Sequence, residues 1–306
     1  MPSLVIEEVA AESGQRVVYF GHFEDQLIPA DMLPPNEEGG STFLRGWEDW
    51  GRVVIKVVEN ASPEALTRLQ AETAILADVR PQNFPELRFS NLFVDNPVSD
   101  EPLPSKLYVS IEAFVVSQTL GKAVAEYRAN PQAIVDLCLG IANALFPLWM
   151  HPKRFVHRDL KPENILIRPN GEVVVIDLGI VRETGGTGIT KAGWGNAPLT
   201  LDFAAPEQIA NDKEAISFKT DFFAIGVLMY LLASGIHPFR TSRHMAEHEL
   251  ALAIEQNEPK SLHEIGVASP EFSGLVEWLM KKTPYSRPRT PSMLIEKLEE
   301  LKRETQ

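Results

Sequence analysis

The sequence predicts an α+β fold in two lobes, a small β-rich front lobe carrying one helix and a mainly helical back lobe. Three observations carry that expectation. Strand signals concentrate ahead of residue 117, and the pattern turns mostly helical after about residue 118. A third is that one helix with a clear start signal interrupts the strands of the front half.

Taken in order, residues 16–20 can add a strand near the N-terminus, and residues 52–58 are a β-branched run. Residues 87–94 and 107–116 read as further strands, separated by a proline-rich acidic segment, 94–106, that reads as a solvated insertion. The interrupting helix opens at Ser62, a good N-cap, with Pro63 suited to the first helical position and Glu64 to the first turn. Leu66, Leu69, Thr73 and Leu76 recur at helical spacing and predict its buried stripe. Pro131 opens a second helix with Ile134, Leu137, Ile141 and Leu145 on one face, and helices near 219–234, 271–282 and 291–303 follow. Two short strands, 165–167 and 173–176, flank the turn Pro169-Asn170-Gly171. Lobes of such different character imply a cleft between them, a common place for a ligand.

Composition narrows the classes. The chain of 306 residues is 44% apolar and 23% charged, ordinary for a globular protein. Its net charge of −13 disfavours nucleic acid, whose phosphates need a concentrated cationic face. An acidic surface suits basic partners, with Asp136 and Glu126 as candidate selectors, although it more often reflects solubility. Cys138 is the single cysteine, which excludes an intramolecular disulfide and a cysteine metal cluster. It falls in an apolar helical run, where a buried thiol is expected. The start Met1-Pro2-Ser3-Leu4 has no charged segment ahead of an apolar stretch, so no signal peptide is expected. The apolar run 222–233, about twelve residues, falls short of a bilayer span. The expectation is a cytoplasmic protein that engages neither membrane nor nucleic acid.

The strongest motif is His157-Arg158-Asp159-Leu160-Lys161-Pro162-Glu163-Asn164, followed by Asp177-Leu178-Gly179 directly after a strand. A charged loop beside an unrelated acidic turn is the bland alternative, and an eight-residue match at this spacing outweighs it. With these residues the chain resembles the eukaryotic-type protein kinase family, and Lys161 looks like the serine/threonine class. Phosphoryl transfer needs metal at the phosphates, charge neutralisation and a group that orients the attacking hydroxyl. The resemblance makes Asp159 the acceptor of the hydroxyl proton and Lys161 the neutraliser of the γ-phosphate. Asn164 and Asp177 are then the hard-oxygen ligands for Mg²⁺ or Mn²⁺ beside ATP.

Other landmarks follow in the family's order. Val53-Val54-Ile55-Lys56 resembles the strand with the ATP-binding lysine, and Glu72 stands where its ion-pair partner is expected. Ile111 is implied as gatekeeper, with Glu112, Ala113 and Phe114 as the hinge against adenine, and Val54 and Leu166 on the two faces of the ring. Ala205-Pro206-Glu207 resembles the end of the activation loop, with Arg287 buried against Glu207, and Asp221 resembles the anchor of the catalytic-loop backbone. Gln208 after that triplet gives a bacterial flavour. Thr200 aligns with the threonine of the peptide-docking loop. Thr184, Thr187 and Thr190 are candidate phosphosites in a glycine- and threonine-rich activation loop, with Arg158 placed to meet a phosphate. Self-association for autophosphorylation would follow, besides protein substrates bearing Ser or Thr.

The pattern departs from the family at its phosphate-covering loop. The best placement, Glu37-Glu38-Gly39-Gly40-Ser41-Thr42-Phe43-Leu44, keeps a glycine only at Gly39, and its glutamates repel ATP unless they point outward. On this placement residues 1–34 are an extension that can add a strand, and the kinase domain is 35–306, divided into lobes of about 35–116 and 117–303. A pseudokinase scaffold is the alternative, favoured by the degraded loop and opposed by Lys56, Asp159 and Asp177. A small-molecule kinase fits less well, because those enzymes generally lack Lys161-Pro162 and the set Ala205-Pro206-Glu207, Asp221 and Arg287.

Overall fold

The computed structural model describes residues 2–13, 16–25, 49–79, 83–96, 99–178, 182–183 and 201–304. The chain divides into two compact units, one built from residues 1–80 and 85–115, the other from 81–84 and 116–306.

The first unit is a five-stranded antiparallel sheet with one helix. Its strands are β1 (Pro2–Ser13), β2 (Arg16–Asp25), β3 (Arg52–Glu59), β4 (Leu87–Asp95) and β5 (Pro102–Ala113), in the order β1-β2-β3-β5-β4. The helix α1 (Pro63–Val79) follows β3. The sequence expected one added strand over 16–20 and a core that starts near 35. The sheet instead takes residues 2–25 as a hairpin forming two of its five strands. β1 escaped notice because Glu7-Glu8 and two bulges, between Ile6 and Glu8 and between Val9 and Ala11, break the period of two. Gly21 is required there, since a Cβ would stand 2.4 Å from the Val5 carbonyl oxygen. The expected solvated insertion is also corrected. Residues 102–106 belong to β5, and Asn96 N–H donates to Glu101 O at 2.7 Å.

Pairing register assigns the faces. Ile55 lies opposite Ile111 and Val53 opposite Ala113, and Val53, Ile55 and Ile111 form a core cluster with Tyr19, Phe23, Trp50 and Phe89 packed against it. Lys56 lies opposite Ser110 and Val54 opposite Glu112, so these four share the other face. Tyr108, on that same face, meets Thr73 of α1 at 2.7 Å. The buried stripe of α1 runs through Glu72, Thr73, Ile75 and Leu76, whereas Leu66 and Leu69 are half-buried.

The second unit is mainly helical. It opens with β6 (Gln118–Thr119), α2 (Leu120–Tyr127) and α3 (Pro131–Met150). The short strands β7 (Phe155–Val156), β8 (Ile165–Ile167), β9 (Val173–Val175) and β10 (Arg182–Glu183) follow. The chain continues through α4 (Pro206–Ile209), α5 (Phe218–Ser234), α6 (Glu247–Gln256), α7 (Pro270–Leu279) and α8 (Pro291–Glu304). Asn130 caps α3 by accepting from Ala133 N–H at 3.1 Å, and Pro131 takes the first turn. Among the described residues α3 is the one helix long and apolar enough to cross a membrane. Ten of its side chains are buried, Cys138 among them, and it packs on α5, α8 and β9. α5 is buried over most of its length and ends at Gly235, whose φ of 73° is the left-handed cap that glycine adopts without strain. Asn83 fastens residues 83–84 to β9, donating from Nδ2 to Val173 O at 2.7 Å and accepting from Val175 N–H at 2.9 Å.

Candidate active site

In the first unit the chemistry gathers around Lys56. Its strand points it at α1, where Nζ is 3.3 Å from Glu72 Oε1. Nζ is also 2.5 Å from Glu112 Oε1, an ion pair whose alignment is not that of a directed hydrogen bond. All three residues are buried. Burial pushes the Glu112 carboxyl above the ordinary carboxylate range, with Lys56 opposing the rise and Glu72 adding to it.

This arrangement corrects one sequence expectation and adds contacts to another. Ile111, the expected gatekeeper, packs with Val53 and Ile55 on the face away from Lys56, and Ser110 and Glu112 take the Lys56 side. Phe114, one of the three expected hinge residues, donates its N–H to Arg52 O at 3.2 Å. The Phe114 ring lies 4.4 Å from the Arg52 guanidinium and meets Phe20 edge-on. Val54 is half-buried on the Lys56 face.

In the second unit the loop 157–164 is clamped from beneath. The Asp221 carboxylate accepts from Trp149 Nε1 at 2.8 Å, His157 N–H at 3.0 Å and Arg158 N–H at 2.8 Å. Burial raises the Asp221 pKa, and His157 and these donors work against the rise. His157 Nε2 donates to Ile176 O at 3.1 Å, and Gln208 Nε2 donates to Arg158 O at 2.9 Å. Arg158 and Asp177 hold φ values of 69° and 68°. Such left-handed geometry costs a non-glycine residue about 1–3 kcal/mol, persists only when the surroundings enforce it, and clusters at functional sites.

The clamp presents Asp159 with partners. Lys161 Nζ lies 2.8 Å from Asp159 Oδ2, and Asn164 Nδ2 donates to the same oxygen at 3.0 Å and to Asp159 O at 2.9 Å. Asn164 thereby commits its amide nitrogen, which orients Oδ1 away as a hard acceptor. Asn164 O accepts from Ile176 N–H at 2.9 Å, tying the asparagine to the strand end that carries Asp177. Leu178 is buried beyond it. Leu166 is half-buried between the buried Ile165 and Ile167 of β8.

Glu207 and Arg287 form a buried two-point pair at 2.7 and 2.9 Å. Arg287 also donates to the carbonyl oxygens of Lys219, Lys281 and Lys282, and Thr220 Oγ1 donates to Glu207 Oε1 at 2.8 Å. Asp136 and Glu126, the candidate peptide selectors, meet Lys302 at 2.7 Å and Gln118 at 2.9 Å respectively. Sequence reasoning missed Trp149, Thr220, the Gln208 side chain and the Glu112–Lys56 contact. No motif marks them, since each matters only through a partner distant in sequence. Gly39 with its loop 37–44, and Thr184, Thr187, Thr190 and Thr200, lie outside the described residues.

A family model described as the protein kinase domain matches residues 45–298, so the chain belongs to that family. Its α+β architecture is that of a protein kinase domain. The match starts beyond β1 and β2. The chain is 28% identical over 191 residues to the serine/threonine-protein kinase pkn3 of Myxococcus xanthus, covering 60% of this chain and 34% of that protein. It is 28% identical over 193 residues to the CBL-interacting serine/threonine-protein kinase 26 of Arabidopsis thaliana, covering 62% and 41%. Aurora kinase A-B of Xenopus laevis is 33% identical over 148 residues, covering 48% and 32%. The chain spans well under half the length of these relatives.

Proposed function

We propose that this chain is a serine/threonine protein kinase that transfers the γ-phosphate of ATP to hydroxyls of protein substrates. The observation that carries the reading is the set around Asp159: a carboxylate held by Lys161 and Asn164 in a loop whose backbone is fixed by Asp221. Asp159 Oδ2 is engaged by both neighbours, which orients the carboxylate so that Oδ1 can accept the proton of an incoming hydroxyl. Lys161, beside it, balances the charge of the moving phosphoryl group. Lys56, fixed by Glu72, offers an ammonium to the non-transferred phosphates. Asn164 Oδ1 and the Asp177 carboxylate are hard oxygens that fit Mg²⁺ or Mn²⁺ and would hold it. Bound there, the cation would neutralise phosphate charge. A second copy of the chain as phosphorylation target, and a cytoplasmic setting, belong to the same reading.

The test is ATP turnover with Mg²⁺ and a basic protein substrate, wild type beside Asp159→Asn. Phosphate should appear on serine or threonine, and the variant should fall by a factor on the order of a hundred or more. Wild-type protein that binds ATP in a thermal-shift assay yet transfers nothing would turn the reading toward a nucleotide-sensing pseudokinase.

A further inference from the structure

Lys56 serves two carboxylates. One ammonium and two carboxyl groups are buried together in a site with little water to screen them. The register explains how this arises. Glu112 stands opposite Val54 on β3, two pairs along from Lys56 and therefore on the same face. The residue directly opposite Lys56 is Ser110, whose small side chain leaves the ammonium room to reach along β5. Nζ comes closer to Glu112, at 2.5 Å, than to Glu72, at 3.3 Å. The other charged group acting on Glu112 is Arg16 on β2, alongside Lys56 of β3 and Glu72 of α1. Tyr108 and Ser110 share its face, and Thr73 of α1 binds Tyr108.

A triphosphate that engages Lys56 must supply oxygens to an ammonium already held from two sides. Glu72 stands on α1 and Glu112 on β5, so the contacts are independent and one can yield while the other remains. We propose that Glu112 is a specificity-determining residue that competes with nucleotide phosphates for Lys56 and so lowers affinity for phosphate-bearing nucleotides without altering recognition of the base. This rests on the kinase reading of Lys56 given above. The competition acts through one charge on one side chain. It therefore predicts a difference between ligands, which a general loosening of the sheet would not produce.

The experiment is equilibrium binding of Mg-ATP and of adenosine to the full chain, as wild type, Glu112→Gln and Glu112→Met. Glutamine keeps the shape and removes the charge, and methionine, of similar volume, repeats the test should the glutamine variant fold poorly. Both variants should bind Mg-ATP about tenfold more tightly, equivalent to about 1.4 kcal/mol. Adenosine affinity should stay within about twofold, the spread that distant or indirect effects commonly produce. Unchanged or weaker ATP binding, with adenosine still bound, overturns the competition and leaves the kinase reading intact. ATP and adenosine shifting together also overturn it, because the base site has then changed. If neither wild type nor variants bind any adenine ligand, the kinase reading fails and the proposal falls with it.

Discussion

Asp221 performs no chemistry on a substrate, yet three donors converge on its carboxylate and two of them are consecutive backbone amides, His157 and Arg158. Those amides precede Asp159, and the second belongs to a residue held at a φ of 69°. A carboxylate is the side chain that can accept from all three at once, and an amide in its place would turn its NH₂ toward at least one of them. These hydrogen bonds offset part of the penalty of burying the group, and burial still pushes its pKa upward. Asp221→Ala would leave the donors unsatisfied and should cost about 1–3 kcal/mol of stability. It should also lower kcat at least about tenfold while KM for ATP moves little, because the loss falls on a transition-state interaction of Asp159. Denaturation midpoints beside steady-state kinetics check both. A stability loss with undiminished kcat would make Asp221 a core residue and nothing more.

Between elements, the strongest brace is Arg287, which ties the start of α4, the start of α5 and the segment after α7 through Glu207, Lys219, Lys281 and Lys282. Its side chain is fully buried, so the pair exists only as a pair. Removing one member strands the other, a loss of about 3–5 kcal/mol, whereas removing both can be close to neutral. Arg287→Met should therefore unfold at markedly lower denaturant, and adding Glu207→Gln should restore part of the loss. Equal midpoints for the single and double variants would show that Glu207 does not depend on the pair. This brace was legible in the sequence, as were β3, α1, α3, α5 and the loop 157–164, because motif and periodicity agree there. β5 was legible as a strand but not in register. Residues 107–113 alternate Leu107, Val109, Ile111 and Ala113 with Tyr108, Ser110 and Glu112, so the period of two separates the faces, but only pairing with β3 shows that the polar set shares the face of Lys56. The hairpin β1–β2 hid behind charged residues and bulges. Short helices such as α2 and α4 have too few turns for a period to show.

At the scale of the whole molecule, the response of stability to pH reports which buried ionisable groups pull on it. On the alkaline side one group stands out. Lys282 donates from Nζ to Ile254 O at 2.7 Å and lies 4.1 Å above the Phe239 ring. Burial, opposed by Glu258 and assisted by Arg287, brings its pKa from 10.5 down to about 8. A lysine whose folded pKa is lowered destabilises the folded state while protonated. That penalty is fully present below the folded pKa and is relieved as pH rises from about 8 toward 10.5, where the unfolded chain still holds a proton that the folded chain has released. Other groups leave this window open. The Cys138 thiol, pushed up to about 12 by burial, lowers stability from its ordinary value of 9.0 upward, and Tyr108, Tyr127 and Tyr230 do so from about 10, but wild type and Lys282→Met share these groups and their effects cancel in the comparison. The stability of wild type relative to Lys282→Met should therefore climb between about pH 8 and pH 10, even though methionine forfeits the Ile254 hydrogen bond at every pH. Urea denaturation of both proteins across that range measures it. Two curves that stay parallel would mean that Lys282 keeps its proton in the folded protein, with water reaching its ammonium despite the cover of Phe239.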